Sequence, residues 1–272
     1  MGRNAVLEMM SQQHSYEAVK DEARLIQDSL LPRGTLRGAS FEVAYRYQPL
    51  VEVGGDFADF FQLPNGLVGL YMGDVVGKGV TAALYAALVM GTIRGINKTG
   101  EEPAGVLALL NKRLLVRPVP GRYSSTLYAL FDPVSGELRF SNAGVPMPLL
   151  VSETGCRYLG EGGFPSGMFA EADYQNYKVT LLPGDTVLFA TDGLHEMRNQ
   201  REEDLSWGKL GEIWSACLGK SADEALDFLF AEVRAFSGEQ CDHDDITALV
   251  LRVPGGNREL ASGSLHRKQV QF

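Results

Sequence analysis

Apolar residues return every three or four positions from Tyr16 through Val19, Ala23 and Ile26 to Leu30, and Met9 and Ala5 extend the series toward the N-terminus. That spacing puts one apolar stripe on a helix over residues 5–31, which Pro32 and Gly34 end. The stripe fits either a helix laid on its own domain or a coiled-coil seam. From residue 41 the period changes to two. "FEVAYRYQP" alternates as a strand, and "GDFADFFQLPNGLVGLYMGDV" reads as two strands joined at Pro64-Asn65-Gly66. Residues 67–75 are apolar on both faces, as in a central strand covered from two sides. Ala- and Leu-rich helices are predicted over 81–97 and 103–115. Strands follow near 125–131, 137–142, 147–151, 156–159, 175–182 and 185–191. Helices over 207–217 and 221–236 precede a last strand ending at Val253.

Runs of strands separated by paired helices indicate an α+β fold, not a βαβ parallel sheet. Strands apolar on both faces need cover on both, which two stacked antiparallel sheets flanked by helices supply. Three segments result: an N-terminal amphipathic helix over 1–34, a main domain over 35–253, and a Gly-, Ser- and Arg-rich tail over 254–272 expected to be disordered.

Composition narrows the chemistry. The 272 residues are 45% hydrophobic and carry a net charge of −9. An acidic chain does not suit nucleic acid or an anionic membrane surface. No stretch approaches the ~18 apolar residues of a membrane span. Cys156, Cys217 and Cys241 are scattered, as in reduced cysteines of a cytoplasmic protein.

Four acidic positions stand at the ends of strands that read as buried. Asp56 follows "VGG", Asp74 follows "LVGLYMG", Asp192 follows "TVLFAT", and Asp244-Asp245 opens "ITALVLRV". Each alone is ordinary turn chemistry; four together suggest one site. Carboxylates within ~4–6 Å repel one another, and a divalent cation relieves that repulsion. Oxygen ligands without His or Cys favour Mg²⁺ or Mn²⁺ over zinc. His195 and His243 adjoin these motifs in positions better suited to support than to ligation. "GDVVGKG" is not a P-loop: the glycine spacing is one residue short, and Gly79 replaces Ser or Thr. "GGDF" lacks the second acid of a GGDEF turn.

The segments "ARLIQDSLLP", "YQPLVEVGGDFADFFQLPNG", "GDVVGKGVTAAL", "NAGVPMPLL", "TDGLHEMRN" and "HDDITALVLRV" occur in one order. Together they resemble the SpoIIE/RsbU-type branch of the PPM (PP2C-like) serine/threonine phosphatases over residues 23–253. The resemblance implies a four-layer α-β-β-α sandwich and two Mn²⁺ or Mg²⁺ ions. It implies Asp56, Asp74, the Val75 carbonyl, Asp192 and Asp244 as metal ligands, with Asp56 and Asp74 acting in catalysis through a metal-activated water. Asp59, Gly193 and Asp245 would support the site; Asp59 would order a water or cap a turn. Lys78 would meet the phosphate or be a solvated surface lysine. The implied substrate is a phosphoserine or phosphothreonine protein, a STAS-domain anti-anti-sigma factor in bacterial partner-switching. A homodimer through the N-terminal helix would carry regulation. The departures from the family pattern are Ala58, Val76 and Val145. Val76 and Val145 leave open an idle binding module of the same fold, and the sequence also leaves open a phosphatase of small phosphoesters.

Overall fold

The computed structural model describes residues 3–50, 53–97, 100–238 and 244–255, with side chains from Glu17 onward. The chain opens with the helix α1 (Arg3–Leu30), followed by a two-residue strand β1 (Leu36–Arg37) and by β2 (Glu42–Gln48). The hairpin β3 (Phe57–Gln62) and β4 (Val68–Val75) leads into the helices α2 (Val80–Ile96) and α3 (Pro103–Val116). Next come β5 (Ser124–Phe131), β6 (Glu137–Ala143), β7 (Leu149–Ser152), β8 (Gly155–Tyr158), β9 (Tyr177–Thr180) and β10 (Thr186–Ala190). A single helical turn, α4 (Asp192–His195), precedes α5 (Trp207–Ser215), α6 (Ala222–Ser237) and β11 (Ile246–Arg252).

The strands form two antiparallel sheets, ordered β1-β2-β11-β10-β7-β8 and β3-β4-β5-β6-β9. Strand alternation divides the apolar residues among three cores. Leu70 and Met72 of β4 meet Val187 and Phe189 of β10 and Leu249 and Leu251 of β11 between the sheets. Tyr71 and Val75, one residue out of step, face α2 and α3. Leu188, Ala248 and Val250 face α5 and α6 on the opposite side. The result is the four-layer α-β-β-α sandwich. It explains why β4 and β11 carry no polar face: both of their faces are covered.

Local chemistry sets the helix ends. Pro103 occupies the first turn of α3. Ser221 and Glu224 form a reciprocal capping box at α6, and Gly238 ends that helix at φ 75°. The hairpin turns at Gly66, also with positive φ. The predicted elements are present with shifts of a few residues. β1 and α4 leave no trace in the sequence, because two residues and one turn carry no periodicity. The helix after β4 begins at Val80, two residues beyond Lys78.

α1 packs against α2, and its apolar stripe is split among the described side chains: Val19 and Ile26 point to solvent, whereas Ala23 and Leu30 are half-buried. Val19 and Ile26 are 51% and 57% exposed, while polar Gln27 is only 7% exposed. Leu30 packs at the margin of the α2–α3 core. The side chains of Ala5, Met9 and Tyr16, together with Cys241, His243 and the tail from residue 256, lie outside the described residues.

Candidate metal centre

Strand parity carries two acids to the space between the sheets. Val68, Leu70 and Met72 face that space, so Asp74 at the end of β4 does too. Asp56 precedes Ala58 by two residues and shares its side. From the facing sheet, Thr191 and Thr247 follow the parity of Phe189 and Leu249. The Thr191 hydroxyl donates to Asp56 Oδ2 at 2.8 Å. Asp192 begins α4 immediately after Thr191, and Asp244 lies just before β11.

These carboxylates oppose one another. Burial holds the Asp56 carboxyl well above the usual range, Asp74 adds to the rise, and the Thr191 hydroxyl works against it. Burial and then Asp192 push Asp74 up to about 7. Burial and Asp244 raise Asp192, while Lys78 lowers it. Lys78 Nζ stands 3.2 Å from Asp244 Oδ1. Among the described residues, no three acidic, His or Cys side chains already close around a common point.

The supporting residues divide sharply. Asp245 straps the loop before Asp56: its Oδ1 accepts from Leu50 N at 2.8 Å and its Oδ2 from Gly55 N at 3.0 Å. Gly55 permits a close approach, since a Cβ there would stand 2.6 Å from the Val75 carbonyl oxygen and 2.7 Å from Asp74 Oδ1. Gly193 is needed because a Cβ would collide with the Asp245 carbonyl. Asp59 is not part of the cluster, and it neither caps a turn nor faces the other acids. It lies one step out of phase with Ala58, on the face of β3 toward α2. There it accepts from Arg94 Nε and Nη2 at 2.9 and 2.6 Å and from the Tyr71 hydroxyl at 3.2 Å. An odd offset from Asp56 sends the side chain through the sheet.

His195 stacks on Trp207 with centroids 4.0 Å apart, and burial pushes its pKa down to about 4. Val145 is buried between the sheets, its backbone N–H and carbonyl both held by the Asn142 side chain. Ala58 is fully buried in the same core.

Sequence reasoning missed Thr191, Arg94, Arg122 and Gln27. Thr191 was accessible, since it directly precedes Asp192 at a strand end. The other three act on residues 27 to 64 positions away, and no local pattern marks them. Gln27 Nε2 donates to the Gly54 carbonyl at 2.9 Å, and Gly54 N donates to Gln27 Oε1 at 3.2 Å. The end of α1 therefore grips the loop that carries Asp56.

Two sheets enclosing acids at one end of their interface form the PP2C-type phosphatase fold. The profile of the SpoIIE family (Stage II sporulation protein E) matches residues 64–254, and the chain belongs to that family. Asp74, Asp192 and Asp244 fall inside the matched stretch; Asp56 precedes it. The phosphoserine phosphatase RsbU of Bacillus subtilis (strain 168) is 22% identical over 241 residues, covering 87% of this chain and 71% of RsbU. The PP2C domain of SiaA from Pseudomonas aeruginosa has the same fold at a TM-score of 0.79 and 22% identity, covering 90% of this chain and 99% of that domain. The PP2C phosphatase domain of SpoIIE from Bacillus subtilis, with a fragment of its regulatory domain, gives 0.70 at 18% identity, covering 80% of this chain and 64% of that one.

Proposed function

We propose that the chain is a metal-dependent protein serine/threonine phosphatase whose centre is held by Asp56, Asp74, Asp192, Asp244 and the Val75 carbonyl. The observation that carries this reading is the meeting of acids from separate elements at one end of the sheet interface, where burial and neighbouring carboxylates raise the pKa values of Asp56, Asp74 and Asp192. Every donor is oxygen, which fits Mn²⁺ or Mg²⁺, two ions in all. The carboxylates do not enclose an ion unaided, so water would fill much of each coordination shell, as Mg²⁺ commonly requires. Bound there, the ions would lower the pKa of a water molecule and offset charge on the phosphoryl oxygens. The chain's own residues orient the donors: Thr191 holds Asp56, and Asp245 holds the loop beside it. Gly79 gives α2 no side-chain cap, which leaves its first N–H groups free to favour an anion.

The family supports a phosphoserine or phosphothreonine protein as substrate, and the reading adopted is a STAS-domain anti-anti-sigma factor in a cytoplasmic partner-switching system. Hydrolysis of a phosphorylated STAS protein, a phosphopeptide and p-nitrophenyl phosphate should be compared with Mn²⁺, Mg²⁺, Zn²⁺ or EDTA. Mn²⁺ or Mg²⁺ should support turnover of the phosphoprotein, and EDTA should abolish it. Full activity in EDTA, or activity with Zn²⁺ alone, would sink the metal assignment. Inertness toward all three substrates would favour an idle module, and turnover of p-nitrophenyl phosphate alone a small-molecule enzyme.

The exposed face of α1 supports a second copy as its partner. Val19, Leu25 and Ile26 remain open although the same helix buries Gln27. At about 1.5 Å per residue, the 28 residues of α1 extend about 42 Å, enough for a seam of several turns. Among the described residues, no helix is long and apolar enough to cross a membrane. Light scattering should find a dimer for the full chain and a monomer for Ile26→Asp. A wild-type monomer at micromolar concentration would remove the seam.

A further inference from the structure

The segment entering β5 grips the chain after β4 at successive main-chain groups. Ser124 Oγ donates to the Asp74 carbonyl at 3.2 Å. Val76 N donates to the Tyr123 carbonyl at 3.3 Å. Arg122 Nη1 donates to the Val76 carbonyl, and its Nη2 reaches the Thr81 hydroxyl at 3.2 Å in the first turn of α2. The guanidinium lies against Gly77, where φ is 107° and a side chain would occupy its place.

The carbonyls on either side of Val75 thus have donors in the 122–124 segment. The Val75 carbonyl oxygen instead lies against Gly55, as does Asp74 Oδ1: a Cβ there would stand 2.6 and 2.7 Å from them. Ser124 N lies opposite Val75 in the ladder, but it donates to the Ser166 carbonyl at 2.9 Å.

We infer that Arg122 is a positioning residue for the metal centre: by tying the Val76 carbonyl to the start of α2, it fixes the direction of the Val75 carbonyl. The inference rests on the proposed metal ligation by Val75. Arginine suits the task because its planar fork holds two acceptors in fixed relation, whereas the ammonium of lysine is a point donor on a flexible stem. Nη1 and Nη2 each donate to the protein, and the role inferred for Arg122 is exerted through the loop.

The test is Mn²⁺ binding to the full chain, followed by the EPR signal of free Mn²⁺, for wild type, Arg122→Ala, Arg122→Lys and Thr81→Val. Arg122→Ala should weaken Mn²⁺ binding about 10–100-fold, the usual effect of removing a group that orients a ligand. Arg122→Lys should recover part of the loss, and Thr81→Val should move affinity in the same direction by less. Unchanged Mn²⁺ affinity in Arg122→Ala overturns the inference, as does a raised KM for phosphoprotein without a change in Mn²⁺ affinity. A metal-free melt accompanies each variant. If Arg122→Ala melts far below wild type, Thr81→Val decides, and wild-type affinity there also overturns the inference. Wild type that binds no Mn²⁺ fails at the earlier step and removes the metal centre itself.

Discussion

Asp74→Asn should abolish turnover and yet make the metal-free protein more stable at pH 8. Asp74 is the acid most entangled with the others, raised by burial and then by Asp192, with Asp244 and Asp245 adding to the rise. Metal catalysis of this kind supplies several kcal/mol of transition-state stabilisation, so losing a ligand should cost ~10³-fold or more in rate. The stability effect has the opposite sign because the carboxylate is unfavourable where it stands. Its folded pKa of about 7 lies above the 3.8 of an unperturbed Asp. The folded chain therefore holds a proton that the unfolded chain has lost between those values. By linkage, wild-type stability without metal falls as pH rises from about 4 through 7. The raised pKa values of Asp56 and Asp192 act in the same direction. Asparagine has no proton to lose, so the variant should match wild type near pH 4, exceed it at pH 8, and show a flatter profile between. Asp192→Asn should lose activity equally and gain less. EDTA-treated protein melted across this pH range, alongside steady-state rates, gives both readouts. Wild-type rates in both variants would remove the assignment; a wild-type pH profile in Asp74→Asn would show that the carboxylates do not repel as described.

The parts of this fold that repeat were visible in the sequence. β4 could be identified as a central strand because its residues are apolar at every position, and Pro64-Asn65-Gly66 marked its hairpin. The acids stand out because each interrupts or borders such a strand, where a carboxylate has no packing role. Parity could have gone further: Asp56 and Asp59 differ by three, so one strand cannot send both into the same cleft. Asp59 instead anchors α2 through Arg94. What the sequence concealed are bonds closed by tertiary contact. Arg122 meets Val76 across 46 residues, and Gln27 meets Gly54 across 27. The 3–4 spacing of α1 marks Ile26, an exposed position, and not its buried polar neighbour Gln27, because periodicity counts apolar residues and not hydrogen bonds.

Gln27→Leu should destabilise the protein by about 2–6 kcal/mol and weaken Mn²⁺ binding as well. The amide accepts from Gly54 N and donates to the Gly54 carbonyl in a buried setting. Leucine fills similar space and offers neither partner. Each buried backbone group left unpaired costs ~1–3 kcal/mol, and water can reach Gly54 only if the loop opens. Gly55 and Asp56 follow directly, so that opening would loosen the grip of Asp245 on Gly55 and the placement of the Asp56 carboxylate beside Thr191. A second tie runs in parallel: Arg94 Nη2 donates at 2.6 Å to the Leu30 carbonyl at the end of α1, while the same guanidinium holds Asp59 on β3. α1 is therefore tied to both ends of the segment bearing Asp56. If α1 is a regulatory lever, Gln27 is its contact with the site, and Gln27→Leu should uncouple Mn²⁺ affinity from changes in the α1 seam. Urea denaturation and Mn²⁺ binding should be measured for Gln27→Leu, Ile26→Asp and the double variant. The expected pattern is a lowered midpoint in Gln27→Leu, a changed Mn²⁺ affinity in Ile26→Asp, and no further change in affinity when Ile26→Asp is added to Gln27→Leu. Additive effects on affinity would place the link between helix and metal loop elsewhere, and wild-type stability in Gln27→Leu would mean that the Gly54 pair contributes nothing.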